Sequence, residues 1–366
     1  MAQAPKLTVD TFHPVRPKAR YCIGAAYQAS CRPRMRVLFV GGTGIISSAC
    51  TRRAVERGLE VTLVCRGKSP RATPPGVRVL HADIRQPSSV REAIGNERFD
   101  AVVDWIAFLP EQVEIDLELF RGRTGQYVFI SSASAYEKPP SHLPITESTP
   151  LHNPFWAYSR DKIACEMRLL SAHRDEGFPV TIVRPSHTYD RTLLPPHGGW
   201  TVIERLRRGK PVIVHGDGTS LWTLTHHDDF ARAFVPLLGN ALTLGEAYHI
   251  TSDEILTWDA IHRILAEAAG AEAKIVHVPS DVIAHYDPRW GESLLGDKTH
   301  SVLFDNTKIK RLVPGFSAKI PFSQGAREII DYYDADASRR TVDEAFDERV
   351  DRILRAAGRA LTEPVA

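Results

Sequence analysis

The run Arg36-Val37-Leu38-Phe39-Val40-Gly41-Gly42-Thr43-Gly44-Ile45-Ile46-Ser47 decides how the chain reads. Apolar, strand-forming residues end on a glycine turn, and a helical period begins at once. Gly41 permits the tight turn, and Gly44 lets backbone N–H groups approach a pyrophosphate. The helix that follows offers that anion its positive N-terminal end. A glycine trio alone carries little weight, but a strand before it and a helix after it make the pattern specific. Ser47 occupies the third small position, where close helix–strand packing is expected.

Outward from this loop, short apolar runs alternate with helical periods. Strands are expected over 36–40, 61–65, 77–81, 101–105, 127–131 and 180–184. The helix over 45–57 should close on Gly58. Such alternation predicts an α/β fold, a doubly wound parallel sheet of the Rossmann type. After Arg184 the rhythm breaks into a smaller, interleaved substrate-binding region. The division expected is an extension at 1–34, a dinucleotide-binding part at 35–190 with returns near 224–265, and a substrate-binding region at 191–340. An amphipathic helix at 341–366 ends the chain, with Phe346, Val350, Ile353, Leu354, Ala357 and Leu361 on one face.

Hydrophobic residues make up 43% of the 366 and charged residues 25%, which excludes a disordered or collagen-like chain. No apolar run approaches the ~20 residues of a membrane span. The net charge of +2 gives no global case for nucleic-acid binding. Five scattered cysteines without a C-x-x-C pair suggest a reduced, cytoplasmic protein and no zinc site. Residues 1–34 hold six Lys/Arg and a single acid, Asp10. They read as a disordered extension or a start assigned upstream of Met35, with an organelle transit peptide as the alternative.

At the end of the second strand, a carboxylate would hold the ribose hydroxyl of NAD. Here Arg66-Gly67-Lys68 follows instead, which favours the 2′-phosphate of NADP over NAD. Of ten tyrosines, only Tyr158 has a lysine, Lys162, four residues on. On a helix the two share a face, and the ammonium is expected to lower the phenol's pKa. Tyr158 then becomes a proton acceptor. The fifth strand ends in Ser131-Ser132-Ala133-Ser134, where a hydroxyl can reach the reacting oxygen.

From Met35 to about Tyr333 the chain resembles the extended short-chain dehydrogenase/reductase superfamily, the NAD-dependent epimerase/dehydratase family. The matching pieces are Gly41-Gly42-Thr43-Gly44, Asp83-Ile84, Ser131-Ser132, Tyr158 with Lys162 and Glu166, Arg184-Pro185, and Gly216-Asp217-Gly218 before Asp228-Asp229. The resemblance implies a catalytic trio of Ser132, Tyr158 and Lys162. It implies cofactor contacts at Gly41, Thr43, Gly44, Ile45, Ile46, Arg66, Asp83, Ile84, Ala107, Lys162 and Pro185. Substrate contacts are expected at Ser134, His187 and Trp222.

Two departures narrow the chemistry. Dehydratases of this family carry an Asp-Glu pair where this chain has Ala133 and Ser134, so dehydration lacks its acid and base. Trp222 stands where nucleotide-sugar enzymes place a phosphate-binding arginine, and it suits stacking on a ring. Arg205, Arg207 or Arg208 would have to supply the clamp. The expected activity is an NAD(P)-dependent oxidoreductase or epimerase acting on a sugar-like secondary alcohol or ketone. The expected partners are that small molecule and a second copy of the chain, with no membrane. The glycine loop, the Arg66-Gly67 tip and the run from Leu303 to Ile309 also resemble an atypical branch that includes chloroplast stem-loop-binding proteins, which contact RNA. An RNA-binding or cofactor-sensing protein with a vestigial site is therefore the alternative, supported by the basic run Arg205-Leu206-Arg207-Arg208-Gly209-Lys210. The cluster His226-His227-Asp228-Asp229 is read as the start of a helix, with Asp229 as cap or first-turn acid, and no metal is expected.

Overall fold

The computed structural model describes residues 34–362, with side chains described through residue 358. The readings for residues 1–33, and for Leu361 on the terminal helix face, lie outside the described residues. The first half of the chain runs β1 (Arg36–Val40), α1 (Ile45–Glu56), β2 (Glu60–Cys65), β3 (Arg78–His81), α2 (Pro87–Ile94), β4 (Ala101–Asp104), α3 (Pro110–Phe120), β5 (Tyr127–Ile130), α4 (Ala157–Glu176) and β6 (Val180–Pro185). The second half runs β7 (His187–Tyr189), α5 (Trp200–Arg207), β8 (Val212–His215), β9 (Leu221–Trp222), β10 (Leu224–His226), α6 (His227–Phe234), β11 (Ala247–Ile250), β12 (Leu256–Thr257) and α7 (Trp258–Ala268). It ends with β13 (Ile275–Val278), α8 (Ser280–Tyr286), α9 (Pro288–Ser293), α10 (Thr307–Leu312), α11 (Phe322–Asp334) and α12 (Glu344–Thr362).

Seven strands form one parallel sheet in the order β3-β2-β1-β4-β5-β6-β11. Its inner strands are Val-rich and buried on both faces, as parallel strands covered by helices must be, while edge strand β3 stays partly exposed. Alternate residues serve opposite cores. Val37, Phe39, Val61, Leu63 and Val103 pack with α1 and α6, whereas Leu38, Val40, Val64 and Val102 pack with α2, α3 and α4. Each fully buried side chain of this kind stabilises by about 1.5–3 kcal/mol. The order reverses between β1 and β4, and a crevice opens there beyond the strands' C-terminal ends.

The later chain returns to this sheet twice: α6 packs on α1, and β11 extends the edge beside β6. A separate apolar core joins β8, α5, α7, α11 and α12 through residues such as Trp222, Trp258, Leu265, Ile329 and Ile353. Three two-stranded sheets, β7–β10, β8–β13 and β9–β12, brace this smaller region. Helix α12 starts at Glu344 and buries Phe346, Val350 and Ile353.

The basic run at 205–210 does not face solvent as a free cationic stripe. Arg205 is buried, bonding the Pro211 carbonyl, Asp347 and, at 2.7 Å, Asp351. Lys210 pairs with Asp347, Arg207 with Asp334 and Arg208 with Glu204. Arg205 and Lys210 hold α12 in place and Arg207 holds α11, whereas Arg208 pairs only along its own helix and stays exposed. Arg205→Ala would leave Asp347 half-neutralised and remove the seat of α12. A loss of about 2–3 kcal/mol is expected, below the range for a fully buried pair because Asp351 is partly exposed. Urea unfolding monitored by circular dichroism should show a lower midpoint with an unchanged slope.

Candidate functional site

A cleft of about 760 Å³ occupies the crevice between β1 and β4, lined by Gly41–Gly44, Arg66, Lys68, Asp83, Ile84 and Phe108 among others. Gly41 and Gly42 both have positive φ, +98° and +104°, which L side chains rarely adopt. A Cβ on Gly42 would meet Leu63 Cδ2 at 2.6 Å, so this glycine is required for packing as well as for the turn. Gly44 has an ordinary φ of −80°, and its N–H donates to Ser47 Oγ at 2.8 Å. Ser47 is thus more than a small packing residue: it satisfies the opening of α1 when no anion does so. Thr51 Oγ1 donates to the Gly42 carbonyl at 2.9 Å and braces the loop from behind. Thr43 lies on the cleft wall, but Ile45 and Ile46 do not. Ile46 packs toward the α1–α6 core, and the Ile45 carbonyl faces His227 Nδ1 at 3.0 Å.

Arg66 and Lys68 are exposed on the rim, and neither has an ion-pair partner among the described residues. Asp83 is half-buried, and Ile84 is buried beside it. Arg71 joins this rim. It bonds Ser48 Oγ at 3.2 Å, Thr192 Oγ1 at 2.6 Å and the Asp190 carboxylate, which ties the loop after β2 to the segment after β7. Sequence reading missed Arg71, whose acidic partner lies 119 residues away.

Helix α4 carries Tyr158, Lys162 and Glu166 on one face, as residues four apart require. Glu166 is fully buried and accepts from Arg184 Nε at 2.9 Å and from Nη2 at 2.6 Å. This pair locks the helix to β6. One turn earlier, Lys162 Nζ donates to the Ala107 and Ile130 carbonyls, each at 2.7 Å, and lies over the Phe108 ring at 4.4 Å. Ala107 is buried below the cleft and meets Lys162 through its carbonyl. Burial pushes the Lys162 ammonium down to about 8, against the raising effect of Asp104.

Tyr158 departs from expectation. Burial holds its phenol above the ordinary value, and the neighbouring Ser132 hydroxyl only partly offsets this. Lys162 does not lower it, since that ammonium is committed to the two carbonyls. Near neutral pH, Tyr158 therefore holds its proton. Three serines stand beside it. Ser159 Oγ donates to Ser134 Oγ at 2.8 Å, and Ser134 Oγ lies 2.9 Å from Ser132 Oγ. Ser132 Oγ also accepts from Ser134 N at 3.1 Å. With Ser134 donating forward, the Ser132 hydroxyl proton is left free to point outward. Ser134 is buried and engaged on both sides, and it lines the same cavity as Ser132.

Ser132, Tyr158, Pro185, His187 and Trp222 share the wall of a second cavity of about 280 Å³. The Phe108 and Tyr158 rings, 6.3 Å apart, join it to the first cleft. Trp222 is buried, with Trp258 at 5.4 Å, and its Nε1–H donates to His187 Nδ1 at 3.2 Å. Burial pushes His187 down to about 3, so the ring is neutral with its remaining proton on Nε2. Asp297 and Lys298 also line this cavity, and neither has a spacing signal in the sequence.

The histidine cluster at α6 brings ligand atoms of His226, His227 and Asp228 within 4.8 Å. Those atoms are already engaged. His226 Nε2 lies 3.1 Å from Glu328, His227 Nδ1 faces the Ile45 carbonyl, and Asp228 pairs with Arg52. His226 Nδ1 caps the helix by accepting from Asp228 N at 3.3 Å. Asp229, in the first turn, accepts from the Lys319 and Ile320 N–H groups at 2.9 and 2.8 Å.

Residues 37–251 match the NAD dependent epimerase/dehydratase family. The chain belongs to this family. Among curated family relatives, it is 28% identical over 347 residues to the chloroplast stem-loop binding protein of 41 kDa b from Arabidopsis thaliana, covering 90% of this chain and 86% of that one. It is 27% identical to 2′-dehydrokanamycin reductase from Streptomyces kanamyceticus, covering 79% and 83%. UDP-glucose 4-epimerase from Thermus thermophilus, solved with NAD, shares the fold with a TM-score of 0.65 at 24% identity, over 82% of this chain and 99% of that one. Among the described residues no helix is long and apolar enough to cross a membrane.

The Lys162 geometry makes a pH prediction. The ammonium has three donors, of which the two carbonyls take two; deprotonation removes the third. Dinucleotide affinity should be full below pH 8 and fall as pH rises through about 8, the value burial gives Lys162. A loss of about tenfold is expected a unit above that pKa. Fluorescence titration with NADPH across this range should show the fall in the native chain and a flat, weaker profile in Lys162→Met.

Proposed function

We propose that the protein is an NAD(P)-dependent oxidoreductase or epimerase that interconverts a secondary alcohol and a ketone on a sugar-like molecule. One observation carries this reading: Tyr158 and Ser132 share a cavity wall next to a dinucleotide-sized cleft, with Lys162 fixed beneath them. The 760 Å³ cleft suits a dinucleotide, since ligand sites commonly span about 300–1,000 Å³. The glycine loop, Asp83, Ile84 and the Lys162 ammonium are the groups that would hold it. When bound, the nicotinamide supplies or accepts the hydride.

The protein's own part is proton transfer. Because burial keeps Tyr158 protonated, its Oη is ready to give a proton to a ketone oxygen. The Ser132 hydroxyl donates to the same oxygen, oriented from behind by Ser134 and Ser159. In the reverse direction the Tyr158 phenolate, the form left by that transfer, takes the alcohol proton. Lys162 would hold the ribose of the bound dinucleotide with the donor that its two carbonyls leave over. Ala133 and Ser134 offer neither acid nor base, so the reading excludes dehydration of nucleotide-sugars. The alternative of RNA binding, prompted by likeness to a relative named for stem-loop binding, loses the support of the 205–210 run, whose cations are paired within the fold. Buried, unpaired Cys50 and Cys165 agree with a reducing, cytoplasmic setting.

Tyr158→Phe removes one hydroxyl and almost no volume. Turnover in NADPH-coupled reduction of a ketosugar panel should fall by about 10²–10⁴-fold, while NADPH affinity stays unchanged. Full activity in this variant would overturn the assignment.

Cofactor choice is a separate expectation. Arg66 and Lys68 should make NADPH bind more tightly than NADH, and Arg66→Asp should reverse the order in paired fluorescence titrations. Equal binding in the native chain would remove the preference. Dinucleotide retained through purification would favour an epimerase, and a site emptied by purification a reductase.

A further inference from the structure

Residues Leu294–Lys298 wind as a π-helical turn, closed by the Thr299 N–H to Leu294 carbonyl bond at 2.9 Å. Such turns are rare and recur at functional sites. This one brings Asp297 and Lys298 onto the wall of the 280 Å³ cavity. Gly296 makes the approach possible, because a Cβ there would meet Trp156 Cβ at 2.6 Å. Trp156 in turn packs on Tyr158, with ring centroids 4.9 Å apart. The turn is therefore seated against the same aromatic pair that flanks the reacting position.

The charges on this wall do not cancel. Asp297 Oδ1 lies 3.2 Å from Lys138 Nζ, whose side chain has no solvent exposure. That pairing uses the only carboxylate on the cavity wall. Lys298 Nζ has no hydrogen-bond acceptor or ion-pair partner among the described residues. It sits over the ring faces of Trp156 and Trp222, at 5.6 and 5.9 Å. His187 adds no charge, since burial keeps it neutral. Burial lowers the Lys298 pKa; Asp297 pulls it back up, and the nearby Lys138 lowers it further. Lys298 is half-buried, and its ammonium faces the cavity with only ring faces beside it.

We propose that Lys298 binds an anionic group, a carboxylate or a phosphate, carried on the same sugar unit as the oxygen that Tyr158 and Ser132 address. This rests on the functional reading above for the position of that oxygen. The cavity volume lies near the lower limit of ligand sites. That suits one sugar unit with its acid group, without an attached nucleotide. Trp156 and Trp222 bracket the ammonium and pack the apolar side of the ring.

The test titrates NADP-loaded protein with D-glucuronate, glucose 6-phosphate, D-glucose and D-glucosamine, read by quenching of tryptophan fluorescence. At least one of the two anionic sugars should bind about tenfold or more tightly than the neutral and cationic ones, as expected for a hydrogen bond to a charged group. The better of the two identifies carboxylate or phosphate. Lys298→Met should erase the difference and Lys298→Arg should keep it; Lys298→Gln replaces the Met variant if that one unfolds. Equal binding of all four sugars, binding of none, or an undiminished preference in the variants lacking the charge would overturn the proposal. Tyr158→Phe separates the two readings. It should keep the anion preference and lose turnover. Retained turnover with retained preference would defeat the function and leave the anion site standing.

Discussion

The buried ion pair between Glu166 and Arg184 is the constraint to which the rest of the site is keyed. Neither side chain meets much solvent, and the guanidinium engages the carboxylate through two of its nitrogens. Removing one partner of such a pair costs about 3–5 kcal/mol, because the other charge is left buried alone. Arg184 also donates to the Glu147 carbonyl and covers the Tyr136 ring at 4.8 Å, so the strand side of the pair is itself held. With α4 unable to rotate, Lys162 can meet only the Ala107 carbonyl beyond β4 and the Ile130 carbonyl at the end of β5, and Tyr158 only the cavity above them. A helix held by apolar contacts alone would tolerate small rotations that these hydrogen bonds do not.

Beneath Lys162 lies a second arrangement that stiffens the site. Asp104 accepts from the Ile106 and Ala107 N–H groups at 2.5 and 2.6 Å, which shapes the turn that presents the Ala107 carbonyl. Asp116 stands behind it and receives the Tyr127 hydroxyl at 2.5 Å. Burial raises the pKa of both carboxyls, Asp116 the more, and the charge on Asp104 adds to its rise. Burial and the neighbouring charge therefore both favour the protonated form of Asp116, behind the Asp104 carboxyl that faces Lys162.

Much of this architecture was legible in the sequence because it is local. The β1 apolar run, the glycine turn, and the spacing of Tyr158 and Lys162 each depend on residues within a few positions of one another, and helix and strand periods report such relations directly. Relations between distant segments were not legible. Nothing in the chain marks Asp190 as the partner of Arg71, or Asp347 as the partner of Arg205, so the cations at 205–210 looked free when they were structural. The roles of Gly42 and Ser47 followed from backbone angles and one hydrogen bond, which glycine counting does not see. Tyr158 was misjudged for a related reason. Spacing placed an ammonium nearby, but its two carbonyl acceptors and the burial of the phenol lie outside any i,i+4 argument.

The seating of α12 has a consequence for how the protein is made. Every strand of the large sheet has left the ribosome once Ile250 has, and with it the cleft behind the glycine loop. The wall that carries Lys298 needs more of the chain. His215 bonds the Lys298 carbonyl at 2.9 Å, and a small cavity beside it is lined by Trp290, Leu294, Phe346 and Val350, the last two from α12. Domains tend to fold as their N-terminal parts emerge during synthesis. The sheet can thus form on the nascent chain about a hundred residues before the wall that carries Lys298, which waits for Phe346 and Val350.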